Sequence, residues 1–497
     1  MAEAVSALGL PSALELLVIV PLLALLAAIP LGRRSARLMP VMALVMPALA
    51  VLLVLDVAAS GTVDSTLGGW QPPLGIGLRA DGLSAAMLLL TALLAAVAGL
   101  FSMAIYPASG GEETAGRGTF WPLFFALWAA MNVVFTSGDL FNLYVAIELL
   151  TIAAVGLAAL GSIAAAMRYM VFALFGSLAY LLGVVLVYAL YGTLDLRLLA
   201  TLIEAEPATY LAAGLMTAGL LVKTALFPLH GWLPPAHGSA PAPASALLSG
   251  LVVKASFYIL VRLWFDLLPP LASDAFIQAM AVLGGLAILS GSIMAIRAER
   301  LKLVIAYSTV AQLGYLFLVW PLAGGASGEM PWAAGAWTGG MFHAIAHGLA
   351  KAAMFLAAGL MIEALGHDRI DGLAGVARAL PMTTFGFGLA AISLMGLPPS
   401  GGFIAKWLLL TAAFASGQLV WALVILLGGL LAAVYLFRPM NRMFDKADPV
   451  DVKPLSRARE LLPMSLAVLA ILMGLAPGGL YALLQQGRPE AAIEGLE

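Results

Sequence analysis

From Leu14 almost to the C-terminal end, apolar runs long enough to cross a membrane follow one another, separated only by short stretches of charge, proline or glycine. A bilayer core is roughly 30 Å thick and needs about 20 apolar residues of helix to span it. Lipid offers the backbone no hydrogen-bond partner, so each run is confined to a structure that satisfies its own amides and carbonyls. The runs fall near residues 12–32, 38–58, 82–106, 118–137, 140–162, 167–191, 208–230, 243–268, 275–296, 302–321, 335–364, 381–409, 418–438 and 461–485. They predict an all-α polytopic membrane protein of about fourteen transmembrane helices. Of the 497 residues only 10% are charged, against 63% hydrophobic; a soluble domain carries about 25% charged residues.

The same composition excludes several kinds of chemistry. Cysteine is absent, which removes disulfide scaffolds, thiolate catalysis, iron–sulfur ligation and Cys-type zinc sites together. A net charge of −2 gives no basic surface for nucleic acid. The first run, Leu14 to Leu31, has the length of a span and lacks a basic leader region, so it reads as a helix and not as a cleaved signal.

Basic residues test the helix count independently, because cytoplasmic loops hold the Lys/Arg excess. Alternate loops starting with the first receive Arg33, Arg34, Arg37, Arg117, Arg168, Arg297, Arg300, Lys302, Arg369, Arg378, Arg438, Arg442, Lys446, Lys453, Arg457 and Arg459. The other side receives Arg79, Arg197, Arg262 and Arg488. This bias places both termini outside, in a bacterial-type inner (plasma) membrane. The acidic residues Asp56, Asp64, Asp195, Glu204, Glu206, Asp266, Asp274, Glu329, Glu490, Glu494 and Glu497 fall on that outer side, where they read as solvated loop charges.

Two segments depart from simple helices. FPLHGWLPPAHGSAPAP (227–243) contains five prolines, and MGLPPSGG (395–402) contains two prolines and three glycines. Proline removes a donor and clashes with the preceding turn, so both places interrupt a helix. They divide the chain into an N-terminal part (1–117), two five-helix units (118–268 and 274–438) and a C-terminal loop with one helix (439–497). Five is odd, so the second unit enters the membrane from the opposite side. Inverted repeats with broken helices at matching positions point to a transport pathway.

The polar residues left inside the runs are the candidate site. A charge near the bilayer centre costs roughly 2.5–3.5 kcal/mol on insertion scales, so such groups face a polar interior. Glu148 has no cation in its own helix, and Lys223, two helices later, is its nearest partner by topology. The pair can be a static packing contact, but a buried pair stabilises poorly against apolar replacement. Lys254 follows with Ser245, Ser249 and Ser256 nearby; Lys406 follows the second break; snorkelling to the interface is the rival reading for both. His343, His347 and Lys351 recur every four residues and form one helical stripe. That stripe suits proton relay, because histidine titrates near neutral pH; structural hydrogen bonding and metal binding are its alternatives, the last without any acidic ligand on the stripe. His230 and His237 flank the first break and can connect the lysines to water or simply be solvent-exposed. Asp139, the acidic residue best placed to meet Na+, reads as a helix cap.

At these residues the chain resembles a known family. SGDLFNLYVAIELL (137–150), VKTALFPLHGWLPPAHGSAPAPASALLSGLVVKASFYIL (222–260), LKLVIAYSTVAQLGYLFL (301–318), FHAIAHGLAKAAMFLAAG (342–359) and GLPPSGGFIAKW (396–407) resemble the antiporter-like subunits shared by respiratory complex I, membrane-bound hydrogenases and Mrp-type Na+/H+ antiporters. The GDLFNLYV wording, the length and Lys406 look most like the D-type member of Mrp antiporters; the M-type complex I member carries a glutamate at that lysine. The resemblance implies fourteen helices, two inverted repeats and a hydrated axis. Glu148 and Lys223 would be its charge-coupling pair, Lys254 and His347 central relay groups and Lys406 the terminal one. His230, His237, His343 and Lys351 would be further relay or water-access positions, and no cofactor or metal is implied. The expected protein is a proton-translocating subunit that works with other membrane subunits and couples H+ to Na+. A redox-driven pumping subunit and a non-conducting structural subunit are the alternatives.

Overall fold

Serine and aspartate at the membrane boundaries start many of the helices. Ser12, Asp81, Asp139, Ser162, Ser273, Ser400 and Ser456 each accept a hydrogen bond from a backbone amide of the first turn that follows. Such caps satisfy donors that a helix end leaves orphaned. The computed structural model describes residues 11–67, 70, 75–108, 115–323, 331–446 and 452–488.

The chain begins with α1 (Ala13–Leu31) and α2 (Met39–Ser60), joined by the 3-10 turn Gly32–Leu38. A two-stranded antiparallel hairpin, β1 (Val63–Leu67) with β2 (Ile76–Ala80), follows where the sequence suggests only a loop. Next come α3 (Gly82–Ser102), α4 (Ala115–Thr136), α5 (Leu140–Ala159), α6 (Ile163–Tyr191), α7 (Pro207–Thr224) and α8 (Leu233–Ser239). The run α9 (Ala242–Leu267) is continuous but contains π turns at Leu248–Val252 and Arg262–Leu267. The remainder is α10 (Asp274–Arg297), α11 (Leu301–Phe317), α12 (Pro331–Leu365), α13 (Pro381–Met395), α14 (Gly401–Ala415), α15 (Leu419–Phe444), α16 (Arg457–Leu475) and α17 (Gly478–Gln486).

The protein is a polytopic all-α membrane protein. Among the described residues, 12 helical stretches are long and apolar enough to cross a bilayer; the first, Ala13–Ser60, contains both α1 and α2, while α13 and α14 are shorter apolar helices. Both proline-rich segments interrupt a helix. Helix α7 stops at Thr224, before Ala225 (φ 56°) and Pro228, and α13 stops at Met395, before Gly396 (φ 81°). The apolar run read as one helix over 461–485 is instead two, because Pro477 follows the end of α16 and precedes α17.

Burial sorts the helices into a core and a lipid-facing shell. Phe175, Leu178 and Leu182 on α6 and Val420, Leu423 and Leu430 on α15 are exposed, as lipid contact allows. By contrast α3, α9, α11 and α12 are buried almost throughout, and α9, α11 and α12 hold Lys254, Lys302, His343, His347 and Lys351. Glu329, Glu490, Glu494 and Glu497, together with the side chain of Arg117, lie outside the described residues. Three of the acidic residues read as solvated also have partners: exposed Asp64 pairs with Arg197, Asp266 pairs with Arg262, and Asp195 caps the short helix Leu196–Ala200.

Close backbone approach holds α6 against α7. A Cβ at Gly219 would lie 2.3 Å from the carbonyl oxygen of Gly176, so only glycine fits there; small residues let membrane helices approach in this way. Gly219→Val should therefore force α6 and α7 apart and cut the yield of monodisperse protein in detergent severalfold. Gly214→Ala, where nothing lies within 4 Å of the added Cβ, should leave the gel-filtration profile unchanged.

Candidate functional site

The break after α7 sets the position of the first pair. Lys223 occupies the last turn of α7, and its Nζ lies 3.1 Å from Glu148 Oε1 on α5 and 2.8 Å from Thr151 Oγ1 one turn further along the same helix. Ser177 of α6 also donates to Glu148 Oε1. The lysine side chain is 5% exposed and the carboxylate side chain 22%. The cation is thus enclosed by the helices, whereas the anion sits at the flank of the bundle.

The three remaining intramembrane lysines have no carboxylate partner within ion-pair distance among the described residues, and each holds backbone carbonyls instead. Lys254 Nζ donates to the carbonyl of Ser249 at 2.6 Å, inside the first π turn of α9. Lys406 Nζ donates to the carbonyls of Leu394 (2.8 Å) and Met395 (3.3 Å), in the last turn of α13 before the second break. Lys351 Nζ donates to the carbonyl of Ile305 at 2.8 Å and to Ser308 Oγ. Lys254 and Lys351 are fully buried and Lys406 is 7% exposed. Their amines turn inward, opposite to what snorkelling requires.

The two breaks share a further relation. Counted from the helix end at each, Lys223 corresponds to Leu394, the residue whose carbonyl Lys406 reaches back to hold. Each broken helix thus has a lysine amine associated with its last turn, by its own side chain at the first break and by a carbonyl contact at the second.

The α12 stripe faces α11. His343 Nε2 lies 3.1 Å from the carbonyl of Gln312, and the rings of His343 and His347 are 6.0 Å apart. Neither ring nitrogen of buried His347 has a hydrogen-bond partner among the described residues. Among the described residues no group of three His, Cys, Asp or Glu gathers within metal-binding reach.

Helix α11 supplies groups that charge alone does not single out. Thr309 Oγ1 lies 2.8 Å from Ser249 Oγ. Gln312 Nε2 donates to Tyr435 OH at 3.1 Å, and Lys406 Nζ stands 4.5 Å above the Tyr315 ring, itself 5.2 Å from that of His343. Ser308, Gln312 and Tyr315 repeat at i, i+4 and i+7, a helical-face signal present in the sequence. Lys302 also differs from its expected place. Read as a loop residue, it is 6% exposed and donates to the carbonyl of Ala240, between α8 and α9.

His230 lies within the break, in the 3-10 turn Leu229–Trp232 between α7 and α8, and His237 lies beyond it in α8. His230 is partly exposed, but His237 is fully buried and neither of its ring nitrogens has a partner among the described residues, so it does not stand in open solvent. Asp139 caps α5 through the amides of Phe141 and Asn142, both at 2.8 Å. Burial pushes its carboxyl above the ordinary carboxylate range against the pull of those amides, and nearby Asp195 adds to the rise. No direct hydrogen bond joins Lys223 to Lys254, or Lys254 to His347, among the described residues; proton passage between them needs bridging water.

A family model described as NADH:quinone oxidoreductase/Mrp antiporter, TM, matches residues 137–476. The N-type subunit of NADH-quinone oxidoreductase from Desulforudis audaxviator is 36% identical over 463 residues, covering 90% of this chain and 89% of that one. The D-type subunit of the Na(+)/H(+) antiporter from Alkalihalophilus pseudofirmus is 31% identical over 389 residues, covering 77% and 76%. Among solved structures, a chain of the Mrp complex from Dietzia sp. superposes with a TM-score of 0.86 at 25% identity, covering 96% of this chain and 97% of that one.

A buried amine held by one carbonyl does not stabilise a bundle as well as an apolar side chain. Lys254→Met should accordingly leave the thermal unfolding midpoint of the purified protein unchanged or raise it by a few degrees. A fall of the midpoint would assign Lys254 a packing role.

Proposed function

The chain belongs to the NADH:quinone oxidoreductase/Mrp antiporter transmembrane family, and from that premise we propose that it is the proton-translocating subunit of a multisubunit cation/proton antiporter. Protons pass along Glu148, Lys223, Lys254, His347 and Lys406, and their flux is coupled to Na+ export. The observation that carries this reading is the Lys223–Glu148 contact of 3.1 Å at a helix break, followed by lysines that hold carbonyls and not carboxylates. The named function of the antiporter relative and the resemblance to a chain of an Mrp complex support it.

An ammonium beside a carboxylate keeps its proton, and the same ammonium with the carboxylate withdrawn passes it on. In this reading, withdrawal of Glu148 drives the Lys223 proton toward Lys254, through water and the hydroxyls of Ser249 and Thr309. His347 and His343 take it up along α12, Lys351 tunes their surroundings, and Lys406 delivers it. Partly exposed His230 gives the axis access to water, with buried His237 as a further relay position. Residues 118–268 and 274–438 act as two inverted repeats, each supplying one broken helix. The hairpin face is the outer face and the arginine-rich loops are cytoplasmic. The flank where Glu148 is 22% exposed is covered by another membrane subunit, since a carboxylate facing lipid is costly.

In vesicles containing the whole complex, Glu148→Ala and Lys223→Ala should each abolish Na+-dependent proton exchange while the subunits still co-purify. Exchange at the wild-type rate in either variant would overturn the mechanism. The 36% identity to an N-type NADH-quinone oxidoreductase subunit favours a second reading, a pumping subunit of a redox-driven complex. Quinone-binding and iron–sulfur subunits co-purifying with the native chain would select it.

A further inference from the structure

Helix α9 carries a second polar line that the axis above does not use. Lys254, Tyr258, Arg262 and Asp266 recur every four residues, which stacks them along one helical face. Exposure rises along this line from 0% at Lys254 and 5% at Tyr258 to 11% and 36% for the side chains of Arg262 and Asp266. It ends at the hairpin face, where Arg262 Nη2 meets Asp81 Oδ1 at 2.6 Å just after β2.

A cavity of about 10 Å3 touches both Lys254 and Tyr258 and is otherwise walled by apolar residues, among them Leu83, Met87 and Met341. That is close to the room one water molecule needs, about 10–15 Å3, and the Lys254 amine turned toward it would give such a water a polar partner. Tyr258 OH lies 2.8 Å from Ser84 Oγ and donates to the carbonyl of Phe135 at 3.2 Å. Arg262 Nη2, which can only donate, reaches Ser84 Oγ at 3.1 Å, and Arg262 Nη1 holds Asp266 Oδ2 at 3.0 Å. With the Tyr258 hydrogen on Phe135, the Ser84 hydroxyl donates to Tyr258. Tyr258 therefore does not donate to Ser84 in this arrangement, and Arg262, by donating to Ser84 Oγ, holds that order.

We propose that this line is a gated proton route between Lys254 and the hairpin face, with Tyr258 and Ser84 as the conducting hydroxyls and Arg262 as the gate. The proposal rests on Lys254 being a relay group, as proposed above. Lys254 has a flexible stem and three donors. Its amine moves from the carbonyl of Ser249 to the cavity beside Tyr258. There the ammonium releases a proton through the intervening water to Tyr258 O, and Tyr258 passes its own proton to Ser84. Ser84 gives up its proton in turn to water at the mouth, so each oxygen gains one proton and loses one. For this, Arg262 must leave Ser84, and Asp266 gives the guanidinium somewhere to go. Asp81 and Asp266 share the Arg262 guanidinium, with Arg79 of β2 also near Asp266, so two carboxylates stand where the emerging proton arrives.

The test uses the complete complex in vesicles, with co-purification as the check on assembly. Tyr258→Phe keeps the ring that packs at 4.9 Å on Phe135 and removes only the hydroxyl; Ser84→Ala removes the next one. Each should slow proton exchange at least twofold, with flow through Lys406 remaining, and change its solvent deuterium isotope effect, with Lys254→Ala inactive in the same preparation. If both variants exchange at the wild-type rate while Lys254→Ala is inactive, the route is refuted and the relay reading stands. If Lys254→Ala itself exchanges normally, the relay reading falls and the route with it. A slow Tyr258→Phe with an unchanged isotope effect would make Tyr258 a packing residue and also overturn the route.

Discussion

Backbone carbonyls inside a bilayer must find a donor, and the structure turns on how this chain supplies it. Two proline-rich breaks and a π turn release carbonyls at membrane depth, where no lipid group can satisfy them. Lys406 holds the carbonyls of Leu394 and Met395, Lys254 that of Ser249 and Lys302 that of Ala240. The irregular backbone and the buried amines are therefore one arrangement. At these positions the freed carbonyls give the buried amines acceptors that lipid cannot supply, while Lys351 uses a carbonyl and a hydroxyl of the regular helix α11.

That arrangement also separates two kinds of buried cation. Lys223 faces a carboxylate and a hydroxyl, whereas Lys254, Lys351 and Lys406 face neutral carbonyls and hydroxyls. An amine among neutral acceptors gains less from its charge than one beside an anion. The asymmetry places the charged pair at the exposed flank and the neutral acceptors in the core. Helix α11 is the spine against which the core groups are arranged, because Ser308, Thr309, Gln312 and Tyr315 each contact one of them or its partner.

The second polar line, along α9, meets the first at Lys254. Arg262, Asp81 and Asp266 close its outer end with two ion pairs, and the serine and tyrosine hydroxyls fill the distance between. Both lines depend on the same helical geometry, in which residues four apart share a face.

The amino-acid sequence by itself determined the membrane-spanning helical class, because runs of about twenty apolar residues have no other stable form in lipid. It also located the two breaks, since proline acts locally on its own helix, and singled out Glu148, Lys223, Lys254, His347 and Lys406 by their rarity in apolar surroundings. What it left open depends on contacts between distant segments. Only the tertiary structure decided that Lys302 is buried against Ala240, that His237 lies sealed inside, and that Lys406 turns back to the end of α13. The hairpin of β1 and β2 likewise needed its partner strand to become visible. The polar face of α11 and the Lys254–Asp266 line were present as spacings, but hydroxyls and amides at such spacings are common in membrane helices. They gained meaning when the fold set them opposite buried amines, because a hydrogen bond is decided by the approach of two groups and not by the identity of either.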